Sequence, residues 1–260
     1  MVLKEYIAHQ LIGTPFESPA RRWRELIAIL NKLKHPELRE IYLESSRIDL
    51  AIERIIKDSM NCIDIGCHLG SVVQQMKRLS PRGRHIAIEP IPYKANWLKR
   101  KFPDIEVMQL ALRDKSGEAE FFLQPDRSGF SGLRFHDSGT KKVERIVVRC
   151  ERLDDLVPPE RPIGFIKVDV EGGELPVLQG GEELLKRSRP AILFECTNTG
   201  LQAFEITPKE IYYFLVDRHG YAVFLLKDWL LGGESLSYEK FVQAMQYPFQ
   251  AFNFLAMPKT

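Results

Sequence analysis

From Asn61 onward, short apolar runs and amphipathic stretches alternate. Cys62 to Ile65 reads as a buried strand, Leu69 to Leu79 as a helix, and His85 to Ile88 as a second strand. Tyr93 to Lys101 is helical again, and Ile105 to Leu110 is strand-like. This rhythm predicts right-handed βαβ units and a parallel sheet. Glu118 to Leu123 and Val143 to Val148 add strands on either side of a polar stretch, Asp126 to Thr140, whose composition suits a mobile loop over a site. Ile163 to Val168 is the next buried strand, and Leu175 to Leu185 is a helix broken at Gly180-Gly181. Ala191 to Cys196, Tyr221 to Leu226 and Phe249 to Met257 read as further strands, with Pro208 to Arg218 as a helix between the first two.

Ahead of this region the period is that of helices. Ser18-Pro19 has the form of a helix start, and Leu26, Ile29, Leu30 and Leu33 follow at helical spacing until Asn31 to His35 and Pro36 loosen them. A second stretch holds Leu38, Ile41 and Tyr42. A third begins at Ser46-Arg47-Ile48-Asp49, which has capping-box form, and runs through Ile52, Ile55 and Ile56. Residues 1–58 are therefore expected to form a helical N-terminal cap that covers the sheet or mediates homodimerisation, and residues 59–260 the main domain.

Composition narrows the function classes. The 260 residues carry 37 basic and 35 acidic side chains, a formal net charge of +2, which supplies no broad footprint for nucleic acid and leaves a small-molecule or glycan partner. Cys62, Cys67, Cys150 and Cys196 form no CxxC pair and read as reduced thiols of a cytoplasmic protein. The charged start Met-Val-Leu-Lys-Glu-Tyr lacks the apolar core of a signal peptide, and no apolar run approaches the ~18 residues of a membrane span.

Three marks carry chemistry. The first is Asp64-Ile65-Gly66-Cys67-His68-Leu69-Gly70, a strand end and glycine turn. Its glycines are spaced G-x-x-x-G, and His68 occupies the position where a dinucleotide site places its middle glycine to admit a pyrophosphate. A cofactor with a ribose and an amino-acid end but no phosphate, S-adenosylmethionine, suits this loop, with Asp64 as a charged acceptor near its ammonium or a backbone amide. The second mark is Glu89-Pro90, at the end of the second strand and 19 residues after Gly70, where an acid takes the hydroxyls of a ribose. The third strand is expected to end in Gln109-Leu110-Ala111-Leu112, flanking an adenine. The third mark is Lys167-Val168-Asp169-Val170-Glu171-Gly172-Gly173-Glu174. If its strand neighbours the first, carboxylates converge on the cofactor; Asp169 and Glu171 are assigned to the site, and Glu174 to capping the following helix.

The order Ile63-Asp64-Ile65-Gly66 with Gly70, then Glu89-Pro90, Ala111-Leu112, Leu153-Asp154-Asp155-Leu156 and Phe165 to Gly180 resembles the FkbM family of S-adenosylmethionine-dependent methyltransferases. The resemblance spans roughly residues 60–200, and its most specific part is Lys-x-Asp-Val-Glu-Gly-x-Glu. The family commonly has Ala-Asn where this chain has Cys67-His68. The resemblance implies an α/β fold with the Rossmann-like class I methyltransferase sheet of seven strands, the last antiparallel. It also implies O-methylation of a hydroxyl on a sugar, glycan or secondary metabolite. Cofactor contacts are expected from Asp64, Gly66, Cys67, His68, Gly70, Glu89, Pro90, Ala111, Leu112 and Asp169. Methyl transfer needs an acceptor oxygen held in line and a group to take its proton; Asp169 and Glu171 are the candidate bases, with His68 and His136 behind them. A metal-assisted variant would use Asp169, Glu195 and Asn198. The acceptor pocket is expected between the cap, the Asp126 to Thr140 loop and the Trp229 to Tyr238 loop. The alternative reading is a cofactor-binding scaffold without transfer activity.

Overall fold

Cys62–Ile65, four residues buried along their whole length, form β1 at the middle of the molecule. The computed structural model of the chain describes residues 2–17, 19, 35–135, 139–140 and 142–259. Ahead of β1 stand α1 (Val2–Leu11) and α2 (Arg39–Ile55). After it the chain runs through α3 (Ser71–Leu79), β2 (Ile86–Ile88), α4 (Pro92–Lys101), β3 (Glu106–Met108), β4 (Ala111–Leu112), β5 (Gly117–Leu123) and β6 (Glu144–Glu151). There follow α5 (Leu153–Leu156), β7 (Phe165–Val168), α6 (Glu174–Gln179), α7 (Glu182–Ser188), β8 (Ala191–Glu195), α8 (Asn198–Ala203) and α9 (Pro208–Tyr213). The chain closes with β9 (Tyr221–Leu225), α10 (Leu226–Leu230), α11 (Tyr238–Ala244) and β10 (Asn253–Pro258).

Seven strands form one sheet in the order β3-β2-β1-β7-β8-β10-β9. The first five are parallel, and β10 inserts antiparallel between β8 and β9. This is the expected Rossmann-like sheet with an antiparallel last strand. The chain winds outward from β1 to β3 and then returns to place β7 on the other side of β1, so a switch point opens between β1 and β7. Register pairs Asp64 with Lys167 there.

Apolar side chains alternate across the strands into two layers. Ile63, Ile65, Ile166 and Val168 face α6 and α7, while Cys62, Phe165 and Leu193 face Ala51, Ile52 and Ile55 of α2 and Met76 of α3. A separate three-stranded sheet, β4-β6-β5, rises beside the end of β3. β3 was expected to continue to Leu110 and Leu112, but it stops at Met108. It is the edge of the large sheet, so Ala111 and Leu112 pair with Cys150 and Glu151 of β6 instead.

The N-terminal region also departs from expectation. The second and third predicted helices are one helix, α2, with Ser46 and Asp49 inside it rather than at a cap. No glycine or proline interrupts Leu38 to Ile56, so the ladder carries through. The predicted helix from Ser18 through Leu33 lies outside the described residues. α1 lies where no start signal was read. Glu44, buried on α2, accepts the backbone N–H groups of Phe252 (2.7 Å) and Asn253 (2.9 Å) and so pins α2 to the start of β10. All four cysteines are free and buried. No helix among the described residues is long and apolar enough to cross a membrane.

Candidate active site

A cavity of about 620 Å³ lies over the C-terminal ends of β1, β2, β7 and β8, at the switch point. The turn after β1 forms its floor. Gly66 has φ +76°, and its N–H (2.9 Å) and that of Cys67 (3.1 Å) both donate to the Ile88 carbonyl, which ties the turn to β2. A Cβ on Gly66 would stand 1.8 Å from the Asp169 carbonyl oxygen, so only glycine lets the turns after β1 and β7 approach this closely. Gly70 serves differently. It precedes α3 with φ +86°, away from the cavity wall, where a Cβ would meet Leu98 and Phe102 of α4. The missing side chain lets α4 pack closely there.

Cys67 touches the cavity but packs with Ile12, Val73, Leu98 and Phe102, and burial holds its thiol well above the ordinary range. His68 has left-handed backbone (φ +49°) and donates its N–H to Glu89 Oε2 at 2.9 Å. Burial, followed by the Lys94 charge, pushes its ring down to about 3, so the imidazole is neutral, with Nε2 3.1 Å from Ser128 Oγ. Glu89 is buried at the end of β2 and accepts from Ile91 N at 2.9 Å through its other oxygen. Burial pushes it up to about 7 despite the Lys94 charge. Pro90, Ala111 and Leu112 line the same cavity.

Asp64 is 1% exposed; its carboxylate is faced by the Val73 backbone N–H at the start of α3, and neither oxygen makes a well-formed hydrogen bond among the described residues. Burial lifts it to about 7, against the pull of Lys167. Burial also works against the Lys167 ammonium, but Asp169 and Asp64 hold it above the usual lysine value, and its Nζ donates to Asp169 Oδ2 at 2.5 Å. Glu171 also has left-handed backbone (φ +59°), and burial, then Asp169 and Glu174, push it up to about 9. Glu195, at the end of β8, is raised by burial and by the same acids. Asp169, Glu171 and Glu195 each bring one oxygen to within 4.8 Å of the others.

Such a trio suits an acceptor hydroxyl or a hard cation. Asn198, expected with Asp169 and Glu195 in the metal-assisted variant, instead donates to the Met245 carbonyl (3.1 Å), and Glu171 takes its place. Glu174 accepts the N–H groups of Val170 (3.0 Å) and Gly172 (3.2 Å), so instead of capping α6 it braces the turn ahead of it, which carries Glu171.

A family model described as Methyltransferase FkbM domain matches residues 64–223. The chain belongs to the FkbM methyltransferase family. It is 27% identical over 146 residues to 2-O-methyltransferase NoeI of Sinorhizobium fredii, covering 49% of this chain and 59% of that protein. It is 26% identical over 155 residues to Methyltransferase sdnD of Sordaria araneosa, covering 46% and 60%. The chain thus spans about six-tenths of the length of the curated relatives it matches. Among solved structures, a methyltransferase FkbM from Methylobacillus flagellatus aligns with TM-score 0.47 and 15% identity, covering 98% of this chain and 58% of that one.

Of the loops expected to enclose an acceptor, one lies off the cavity and one lines it. The Trp229 to Tyr238 loop is not on the cavity wall; Trp229 lies on α2 beneath the Arg54 guanidinium (5.5 Å to the ring). Phe204, Pro176 and Glu195 form that side instead. The loop after β5 does stand over the site: Ser128, Phe130 and Arg134 line it, with Gln124 holding the loop through Ser131 and the Phe130 carbonyl. His136 lies outside the described residues.

No cap residue among those described lines the cavity, yet α1 reaches its edge. Glu5 accepts from Ser128 Oγ and from Tyr93 Oη (3.0 Å), and buried His9 places Nδ1 3.0 Å from the Leu69 carbonyl. Lys94, Ser128 and Glu5 escape sequence reading, because a lysine in a basic helix and a serine in a polar loop look like solvent-facing residues.

Proposed function

We propose that this protein transfers a methyl group from S-adenosylmethionine to a hydroxyl of a sugar, glycan or secondary metabolite. The observation that carries the reading is one cavity at the β1/β7 switch point, with the acid Glu89 on one wall and the trio Asp169, Glu171 and Glu195 on another. The fit to the cofactor rests on Asp64. Its buried carboxylate is faced only by the Val73 backbone N–H and the Lys167 charge, so acceptor capacity remains, and the ammonium of the cofactor's amino-acid end would fill it. Glu89 would hold the ribose, the backbone from Gly66 to His68 the amino-acid end, and Pro90, Ala111 and Leu112 the adenine.

The bound cofactor supplies a sulfonium methyl that is already electrophilic. The chain therefore has to orient the acceptor and receive a proton. Glu171 and Glu195 stand where a hydroxyl entering past Phe204 can donate to a carboxylate, and Lys167 fixes Asp169 beside them. Burial and the neighbouring acids keep Glu171 and Glu195 protonated in the empty site; the positive charge of a bound cofactor would favour ionisation of one of the trio, and that carboxylate would accept the hydroxyl proton as the oxygen gains its methyl group.

Calorimetry with S-adenosylhomocysteine, followed by methyl-labelled cofactor incubated with cell extract and mass identification of the labelled product, tests the reading. Micromolar binding and a product 14 mass units heavier are expected. Absence of binding by the wild-type protein would refute it. Glu171→Gln and Glu195→Gln should keep that affinity while at least one lowers kcat by about 10²–10⁴-fold; unchanged kcat in both would remove them from the chemistry.

A further inference from the structure

Lys94 is fully buried, yet it borders the cavity. Its Nζ lies 2.6 Å from Ser128 Oγ and 3.5 Å from the Ser128 carbonyl, and it forms no ion pair among the described residues. An ammonium has three N–H donors, and the two Ser128 oxygens use at most two. Burying an unspent charged donor is costly unless something accepts from it. Burial lowers the lysine's pKa, while Glu89 and Glu5 oppose that shift.

Its neighbours are fixed. Ser128 Oγ is held by Glu5 of α1 and approached by the neutral His68 ring, so the group that anchors Nζ is itself fixed on the cavity wall. Glu89 is anchored as well, each oxygen taking one backbone N–H and keeping further lone-pair capacity. A rigid acceptor and a rigid donor thus flank the end of β2. A ribose hydroxyl is both donor and acceptor and satisfies the two together.

We propose that Lys94 is a cofactor-contacting residue that donates to the ribose hydroxyls from which Glu89 accepts, with Ser128 and Glu5 as positioning residues behind it. This deepens the methyltransferase reading and rests on it. It also makes the N-terminal helix part of the cofactor site, through Glu5.

The test is a binding cycle by calorimetry with S-adenosylhomocysteine and its 2′,3′-dideoxyribose analogue, on the wild-type chain and Lys94→Met. Methionine keeps the length of the stem and removes the donor. Lys94→Met should weaken S-adenosylhomocysteine by about 10–100-fold, the range of a hydrogen bond to a charged group. The analogue should bind the two proteins within about threefold of each other, because the partner of Lys94 is missing from the ligand. An equal loss for both ligands would mean that Lys94 only supports the loop, and no loss for either would mean that it makes no contact; each overturns the proposal.

Should Lys94→Met fail to fold, Ser128→Ala, which frees Nζ from its anchor, should show a smaller loss that is again confined to the hydroxylated ligand. A loss shared by both ligands in that variant also overturns the proposal. A wild-type protein that binds neither ligand refutes the cofactor reading itself, a result distinct from binding that Lys94 does not affect.

Discussion

Gly66→Ala is the sharpest test of how the switch point is built. The new Cβ would lie 1.8 Å from the Asp169 carbonyl oxygen and 2.9 Å from its carbon, and both are backbone atoms that no rotamer change can move. Residue 66 also sits at φ +76°, which costs an L-residue about 1–2 kcal/mol relative to glycine. Relieving the contact means parting the turns after β1 and β7, an overpacking cost of about 1–3 kcal/mol. Together the two terms give about 2–5 kcal/mol, or a fall in Tm of roughly 4–20 °C for a domain of this size.

Because the turn that moves also carries the floor of the cavity, S-adenosylhomocysteine affinity should fall with it. Differential scanning fluorimetry with and without that ligand reads both effects. Gly129→Ala is the control, since nothing lies within 4 Å of a Cβ there, and its Tm should be unchanged. A Gly66→Ala protein with wild-type Tm and affinity would show that the close approach of these turns is not what shapes the site.

Asp64 and Glu89 are both held near 7 in the folded protein, above their ordinary values of 3.8 and 4.5, so the folded state keeps these protons where the unfolded chain has lost them. Their contribution to stability therefore declines as pH rises from about 4 to about 7 and is level beyond. A ligand ammonium beside Asp64 favours its ionised form, so binding S-adenosylhomocysteine near pH 7 should release protons, seen as a buffer-dependent enthalpy; proton uptake would contradict the assignment. Glu174→Ala leaves the Val170 and Gly172 N–H groups without their acceptor, and a loss of about 1–3 kcal/mol per group is expected in chemical denaturation, together with reduced kcat as Glu171 loses its support. Glu44→Ala should cost stability on a similar scale, by freeing α2 from β10, without changing cofactor affinity once the protein is folded. Dialysis against EDTA should leave methyl transfer unchanged; activity lost and then restored by Mg²⁺ would assign the Asp169, Glu171 and Glu195 trio to a cation.

Local order decided the strands and turns that could be read in advance. Cys62–Ile65 is a run of four buried residues closed by a glycine turn, and it is β1 with those bounds, because an apolar segment between turn signals has few alternatives. Glu89 and the Lys167 to Glu174 block were legible for the same reason: each stands at the end of such a strand, and strand ends are where an open sheet presents side chains to a ligand. Pairing is a different matter. That β3 stops at Met108, that Ala111 joins a second sheet, and that Glu171 replaces Asn198 beside Glu195 depend on which segments meet across the fold, which periodicity does not encode.

The same holds for Gly70 and for the N-terminal helix. Gly70 reads as part of a cofactor turn, but α4 packing against it gives its missing Cβ another purpose. Lys94 and Ser128 read as ordinary polar residues, and only the folded chain buries them, with Glu5 of α1 bound to Ser128 and Ser128 to Lys94. The sequence by itself determined the central strands of the large sheet, their order and the acids at their ends, because those follow from short-range pattern and turn chemistry. Tertiary structure decided which of those acids share a cavity and which distant polar groups support them, because burial and hydrogen bonding between residues as far apart as Glu5 and Ser128 exist only once the chain has closed on itself.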